Sequence, residues 1–133
     1  LFAFRFGGVT LQLDLGGANM NIAINSLLQF TGFSLNFANS VSTGDFNIRT
    51  SALMTFAVGT GITGLNTSVA VTRGTYSSNH ALTLIRNPLT GGLEFGSLTI
   101  NMGMNADPFR ASILVVFGKA GLSRAGVTFG LVF

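Results

Sequence analysis

Apolar and small polar residues alternate along most of this 133-residue chain, and glycine-rich turn signals interrupt the alternation at short intervals. A period of two puts the apolar side chains of an extended segment on one face and the polar ones on the other. Phe33, Leu35 and Phe37 show the pattern clearly. Helical spacing is nearly absent, and only residues 24–30 are predicted to form a short helical turn. The alternation therefore predicts an all-β fold.

About ten short strands are predicted, with turn signals every 8–12 residues or so. The predicted strands are 2–6, 9–15, 20–24, 33–37, 46–58, 68–73, 81–86, 93–102, 111–117 and 125–133. This pattern is typical of an antiparallel β-sandwich, a jelly roll or a small barrel. No linker, charge block or convincing internal repeat divides the chain. Residues 1–133 are therefore predicted to form a single β-sandwich domain with jelly-roll topology.

The strand that begins after Gly44 is predicted to be an inner strand. Its alternation places Phe46, Ile48 and Phe56 in the core of the sandwich. Loss of a buried Phe removes apolar burial and leaves a cavity, so Phe46→Ala is expected to cost about 3–5 kcal/mol.

Charged residues are scarce, at 8% of the chain, whereas soluble domains carry about a quarter. The complete set is Arg5, Asp14, Asp45, Arg49, Arg73, Arg86, Glu94, Asp107, Arg110, Lys119 and Arg124. A monomer with so few charges has little to keep it in solution. The chain is therefore expected to bury much of its outside against copies of itself, a membrane or a larger particle.

The expected assembly is an obligate homo-oligomer, with a trimer favoured and other surface-layer proteins as further candidate partners. Apolar strand faces would meet at the symmetry axis, which suits the low charge. The net charge of +3 is carried by isolated cations, so no nucleic-acid partner is predicted. The absence of Cys is compatible with either redox compartment. Because the sequence starts at Leu1, a processed product or an excised domain is expected.

One glycine-rich segment matches the spacing of a dinucleotide-binding fingerprint, Gly59-Thr60-Gly61-Ile62-Thr63-Gly64. That chemistry needs a helix after the glycines and an acid about 20 residues later. Here a predicted strand follows and no acid occurs before Glu94. The segment is therefore predicted to be a flexible loop between strands.

No other constellation nominates a catalytic, cofactor or metal site, so the protein is predicted not to be an enzyme. His80 is the only histidine, in a predicted loop, and the four acids are far apart in sequence. Asn105 to Asp107 could offer oxygens to a calcium ion, but a turn before Pro108 explains these residues better. The phenylalanines that could stack on bases or sugars, among them Phe2, Phe4, Phe6 and Phe30, are predicted to be core, because most of them occupy alternating positions.

The end of the chain, with Val127, Phe129, Leu131 and Phe133, resembles the last strand of outer-membrane β-barrels. Such barrels have Tyr and Trp girdles at the membrane interfaces and a polar lumen. The chain has one Tyr and no Trp. A last strand buried in a sandwich is therefore preferred, and a membrane location is predicted to be unlikely. No apolar run reaches the length of about 18–20 residues of a membrane helix.

Three segments resemble a known family. Residues 2–4 with 7–16 are similar to the first strand of the C-terminal domains of BclA-type, collagen-like exosporium glycoproteins. Residues 41–48 resemble a Gly-x-Tyr-x-Ile/Phe strand of the C1q/TNF-like superfamily, with Phe46 in place of Tyr. Residues 69–74 resemble its valine-rich strand, with Arg73 in place of Asn. The resemblance implies a C1q/TNF-like jelly roll, homotrimeric, at an extracellular, spore or cell surface.

Four functions are compatible with these observations. The first is a non-enzymatic trimeric head domain of a surface fibre that mediates assembly and surface contact. The second is a filament or capsid subunit that uses residues 1–15 for strand addition to a neighbour. The third is an outer-membrane β-barrel. The fourth is a small β-barrel whose Phe side chains surround an apolar ligand.

Overall fold

The computed structural model describes residues 8–14 and 18–133. Within this part of the chain the protein is all-β, and nine strands form one antiparallel sheet. The strands are β1 Val9–Asp14, β2 Ala18–Ile24, β3 Phe30–Thr43, β4 Phe46–Ala57, β5 Gly61–Arg73, β6 Tyr76–Arg86, β7 Leu93–Ala106, β8 Phe109–Gly118 and β9 Gly121–Leu131.

Each strand pairs with the strands that precede and follow it in sequence, so the spatial order is β1 through β9. The sheet is an up-and-down meander of hairpins. A jelly roll instead places strands that are distant in sequence side by side in two sheets. All-β architecture is confirmed, whereas the predicted jelly-roll sandwich is not. The described residues form no second layer on this sheet. No helix among them is long and apolar enough to cross a membrane.

The sheet has no buried core. Ala18, which is 8% exposed, is the only buried hydrophobic residue among those described. The prediction that Phe46, Ile48 and Phe56 form a core is wrong, because Phe46 is 40% exposed and the other two are half-buried. The prediction of a buried last strand is also wrong, since β9 is exposed along its whole length. The physical reason is the same: one sheet without a second layer leaves both of its faces open.

Several strands are longer than the alternation predicted. The glycine-rich segment is not a loop throughout, because β5 begins at Gly61. His80 lies inside β6 and not in a loop. The predicted turn at Asn105 to Pro108 is confined to residues 107–108, since β7 continues to Ala106. In β6, small polar residues occupy both sides of the strand between Tyr76 and His80, so no apolar alternation marks this part of the strand in the sequence.

One end of the sheet, which we call the tight-turn end, carries the hairpins β3–β4, β5–β6 and β7–β8. Each of these turns has two residues, at 44–45, 74–75 and 107–108. Gly44 and Gly74 hold φ values of 56° and 55°. Glycine reaches this left-handed region without the clash of a Cβ atom, and at the first turn position it fits a two-residue hairpin.

The opposite end, which we call the bulged end, carries the hairpins β2–β3, β4–β5, β6–β7 and β8–β9. Each of these four hairpins contains one β-bulge close to its loop. The extra residues are Thr31, Thr63, Gly96 and Ser123. Bulges increase the local twist of a sheet and are frequent at the rims of barrels. The four bulges form a row that runs across the sheet near the bulged end.

Three sequence predictions lie outside the described residues. They are the strand 2–6 with Phe2, Phe4 and Phe6, the last residue of the strand 9–15, and the part of the family resemblance that falls on residues 2–4, 7, 15 and 16.

Candidate functional site

The antiparallel registers join the apolar positions of all nine strands into one continuous surface, which we call the apolar face. Directly opposed residues in antiparallel strands project from the same side of a sheet, and one such row runs Ile22, Phe33, Phe56 and Ile62. On the last three strands the apolar face contains Leu98, Ile100, Met102 and Met104 of β7, Ala111, Ile113 and Val115 of β8, and Ala125, Val127 and Phe129 of β9. Many of its members are exposed. The face is therefore an unpartnered hydrophobic surface.

Aromatic side chains line both ends of the apolar face. Near the bulged end they are Phe33, Phe56, Phe95 and Phe117, and near the tight-turn end they are Phe46, Tyr76, Phe109 and Phe129. The rings of Phe33 and Phe56 are stacked, with centroids 5.0 Å apart. Smaller aliphatic side chains occupy most of the region between the two aromatic rows.

The distance between the aromatic rows follows from strand geometry. Phe46 and Phe56 lie ten residues apart on β4, which is about 34 Å at about 3.4 Å per residue. Phe109 and Phe117 lie eight residues apart on β8, or about 27 Å. At the tilt of about 40° that strands have in transmembrane barrels, these lengths would project to about 21–26 Å. The apolar face is thus bordered by aromatic rings near both ends of β4 and β8.

The other side of the sheet, which we call the polar face, carries mostly small polar side chains. On the four central strands it consists of Ser34, Asn36, Ala38, Ser40 and Ser42 of β3, Asn47, Arg49, Ser51, Leu53 and Thr55 of β4, Asn66, Ser68, Ala70 and Thr72 of β5, and Ser77, Asn79, Ala81 and Thr83 of β6. Ser51 and Ser68 share a hydrogen bond of 2.7 Å between their hydroxyls. Such a face favours contact with water.

Charge is distributed unequally over the two faces. Arg49, Arg110 and Arg124 lie on the polar face. Glu94 also lies on that side, at the bulged end, where its carboxylate accepts hydrogen bonds from Asn87 Nδ2 and pairs with Lys119. Among the charged side chains that the structure describes on the strands of this face, arginines therefore outnumber carboxylates.

One group of polar residues interrupts the apolar face, and we call it the polar inset. It comprises Asn39 of β3, Thr50 of β4, Thr67 of β5, and Ser78 and His80 of β6. The Oγ of Ser78 and the Nε2 of His80 are 2.6 Å apart. Asn39, Thr50 and Thr67 line a shallow depression together with Ala18, Phe37 and Ala52.

The structure does not assemble the residues that sequence chemistry singled out into a reactive site. In the described ranges, no three His, Asp or Glu side chains come close enough to hold a metal ion. Gly61 to Gly64 begin an ordinary strand, with Thr63 as the bulge residue. The sequence alone did not predict that the strands join into two continuous surfaces. Each surface depends on the pairing registers of the hairpins, which one segment of sequence does not reveal.

The two outer strands leave one edge each unpaired. β1 pairs only with β2 and β9 only with β8 within the described part of the chain. A free edge exposes a row of backbone N–H and C=O groups that can pair with another strand. Strand addition is therefore possible at both sides of the sheet.

Comparisons of this chain with protein-family models, with curated proteins and with solved structures find no match.

Proposed function

We propose that this sheet is part of the wall of a membrane-spanning β-barrel, of the outer-membrane type, with its apolar face toward lipid and its polar face toward an aqueous lumen. The observation that carries the proposal is the apolar band between two aromatic rows. At a strand tilt of about 40°, the distance between the two aromatic rows projects to about 21–26 Å. The lipid-facing band of such barrels is about 25 Å tall. Lipid is thus the chemical partner that fits this face.

The aromatic rows supply the girdles that the sequence reading found missing. That reading considered Tyr and Trp, whereas here Phe occupies all but one of the eight positions. Aromatic rings at both borders of an apolar band are characteristic of transmembrane barrels. Only the pairing of hairpins brings these dispersed residues into two rows.

The backbone and the polar face agree with the same function. Strands inside a bilayer must pair all of their N–H and C=O groups, which a meander achieves for every strand except the two at its edges. Small polar side chains opposite the lipid face match the polar interior of barrels. An all-antiparallel closed barrel has an even number of strands, so the nine described strands require at least one further strand to close.

A second candidate is a self-assembling subunit that adds strands between copies, which the open edges of β1 and β9 favour. In that case the apolar face would be covered by protein. The trimeric jelly-roll head of a surface fibre needs two packed sheets with non-sequential strand order. The sequential order of the nine strands does not favour that function.

Tryptophan probes on neighbouring residues test the membrane proposal. The chain has no Trp, so each introduced Trp reports alone. Leu114 and Val115 are both apolar and half-buried, but Val115 lies on the apolar face and Leu114 on the polar face. Leu114→Trp and Val115→Trp therefore form a matched pair in vesicles.

The expected result is quenching of the Val115→Trp emission by brominated acyl chains and of the Leu114→Trp emission by aqueous iodide. Equal quenching of both probes by iodide would contradict the lipid-facing assignment. A discrete trimer in plain buffer would instead favour the surface-fibre head, and an open-ended polymer would favour strand addition.

A further inference from the structure

The polar inset lies where a lipid-facing surface should be most apolar. Thr50 is four residues from Phe46 and six from Phe56 on β4, so it lies between the two aromatic rows. His80 is likewise four residues from both Tyr76 and Leu84 on β6. If the proposed membrane location holds, the inset faces the middle of the hydrocarbon layer.

Lipid is a poor partner for these side chains. A polar group in hydrocarbon costs free energy unless it is hydrogen-bonded. Ionisable residues in the middle of a membrane rarely face the lipid directly. Ser78 and His80 satisfy one another in part. No hydrogen bond within the described residues involves the side chain of Asn39, Thr50 or Thr67. The inset therefore has unused hydrogen-bonding capacity.

We infer that the polar inset is the surface through which a second copy of this chain packs beside the first in the membrane. This inference rests on the proposed membrane function. Asn39, Thr50 and Thr67 each carry both a donor and an acceptor. The inset contains no Asp, Glu, Lys or Arg. Two identical insets can therefore bond to each other without repulsion at a symmetry axis.

The shape of the surface supports close approach of two copies. The small side chains of Ala18 and Ala52 lie in the depression beside the inset, and Phe37 stands at its border. In membrane proteins small residues let neighbouring elements approach closely, and polar side chains then bond across the contact. At the corresponding register positions on β8 and β9 the same face is apolar, with Ile113, Val115 and Val127. The contact is thus confined to the side formed by β3–β6.

Single-cysteine cross-linking in vesicles tests this contact, since the chain has no Cys of its own. Thr50→Cys places the thiol in the inset. Val115→Cys is the control, because one register row connects Thr50, Val69, His80, Ile100 and Val115 across the apolar face. We expect about tenfold more disulfide-linked dimer for Thr50→Cys than for Val115→Cys, because a disulfide needs Cα atoms within about 7 Å.

Equal cross-linking at the two positions, or more at Val115→Cys, would overturn the inference. A second measurement guards against local effects: the double variant Asn39→Leu and His80→Leu should lower the oligomer fraction seen by light scattering in micelles while the β-sheet circular dichroism is kept. An unchanged oligomer would also overturn the inference. Failure of the tryptophan probes to reach lipid would remove the membrane function itself and the inference with it.

Discussion

Arg73 lies over the ring of Phe46, with its guanidinium carbon 4.8 Å from the ring centroid, and the two residues are direct partners on β5 and β4. The pair stands at the tight-turn end of the apolar face. There a cation can remain in water while its stem and the ring cover apolar surface. This is the position expected for an arginine at the border of a lipid-facing band.

The exposure of Phe46 predicts a smaller loss of stability for Phe46→Ala than the sequence suggested. Because Phe46 is 40% exposed, Phe46→Ala should lower the free energy of unfolding by about 1–2 kcal/mol and not by the cost of a core Phe. A double-mutant cycle with Arg73→Ala in micelles should give a coupling of about 0.5–1 kcal/mol. Leu89→Ala, at a side chain that is 93% exposed, is the neutral control. A loss above 3 kcal/mol at Phe46 would indicate a buried ring.

Gly32 approaches the neighbouring backbone too closely for a side chain. A Cβ atom at this position would collide with the carbonyl oxygen of Phe56 and crowd the Cα of Ala57 at 3.2 Å. Gly32→Ala should therefore destabilise the sheet by about 1–3 kcal/mol. Gly126→Ala is the matched control, since Gly126 also lies in a strand and a Cβ there meets nothing within 4 Å. Similar urea midpoints for the two variants would contradict this account.

Leu28 holds a left-handed backbone conformation, with φ of 59°, in the loop between β2 and β3. This conformation is costly for a residue with a Cβ atom, and Leu28 is 76% exposed, so little burial offsets the cost. Leu28→Gly should stabilise the protein by up to about 1 kcal/mol. Leu27→Gly, at a neighbouring leucine that is 74% exposed and lacks a positive φ, should not stabilise it. Thermal unfolding of both variants distinguishes relief of strain from a general effect of glycine.

If the sheet is part of the proposed barrel, the arginines of its polar face should make the lumen favour anions, because cationic side chains in a lumen attract anions and repel cations. Arg49→Gln should reduce the chloride preference measured as a reversal potential in a KCl gradient. Arg73→Gln removes the same charge from the apolar face and should leave the preference unchanged. An equal change in the two variants would mean that Arg49 does not face the lumen.

Local sequence determined which side chains of a strand share a face and where the tight turns lie. Because alternate residues of a strand point to opposite sides whatever its neighbours are, the alternation of Phe33, Leu35 and Phe37 assigned these side chains to one face. Gly44 and Gly74 likewise marked tight turns, since the left-handed conformation at a turn favours glycine. These features depend on a few consecutive residues, so a single segment is enough to predict them.

Only the tertiary structure decided how the strands are arranged. The sequential strand order, and with it the absence of a second layer among the described strands, depends on pairing between segments, which alternation leaves open. Bulges such as the one at Thr63 arise from the fit of two strands. His80 lies on the apolar face because β6 begins at Tyr76, so His80 is part of the strand and pairs with Val69. The same alternating residues can fill a sandwich core or lie on the open face of a single sheet, and long-range pairing decides which.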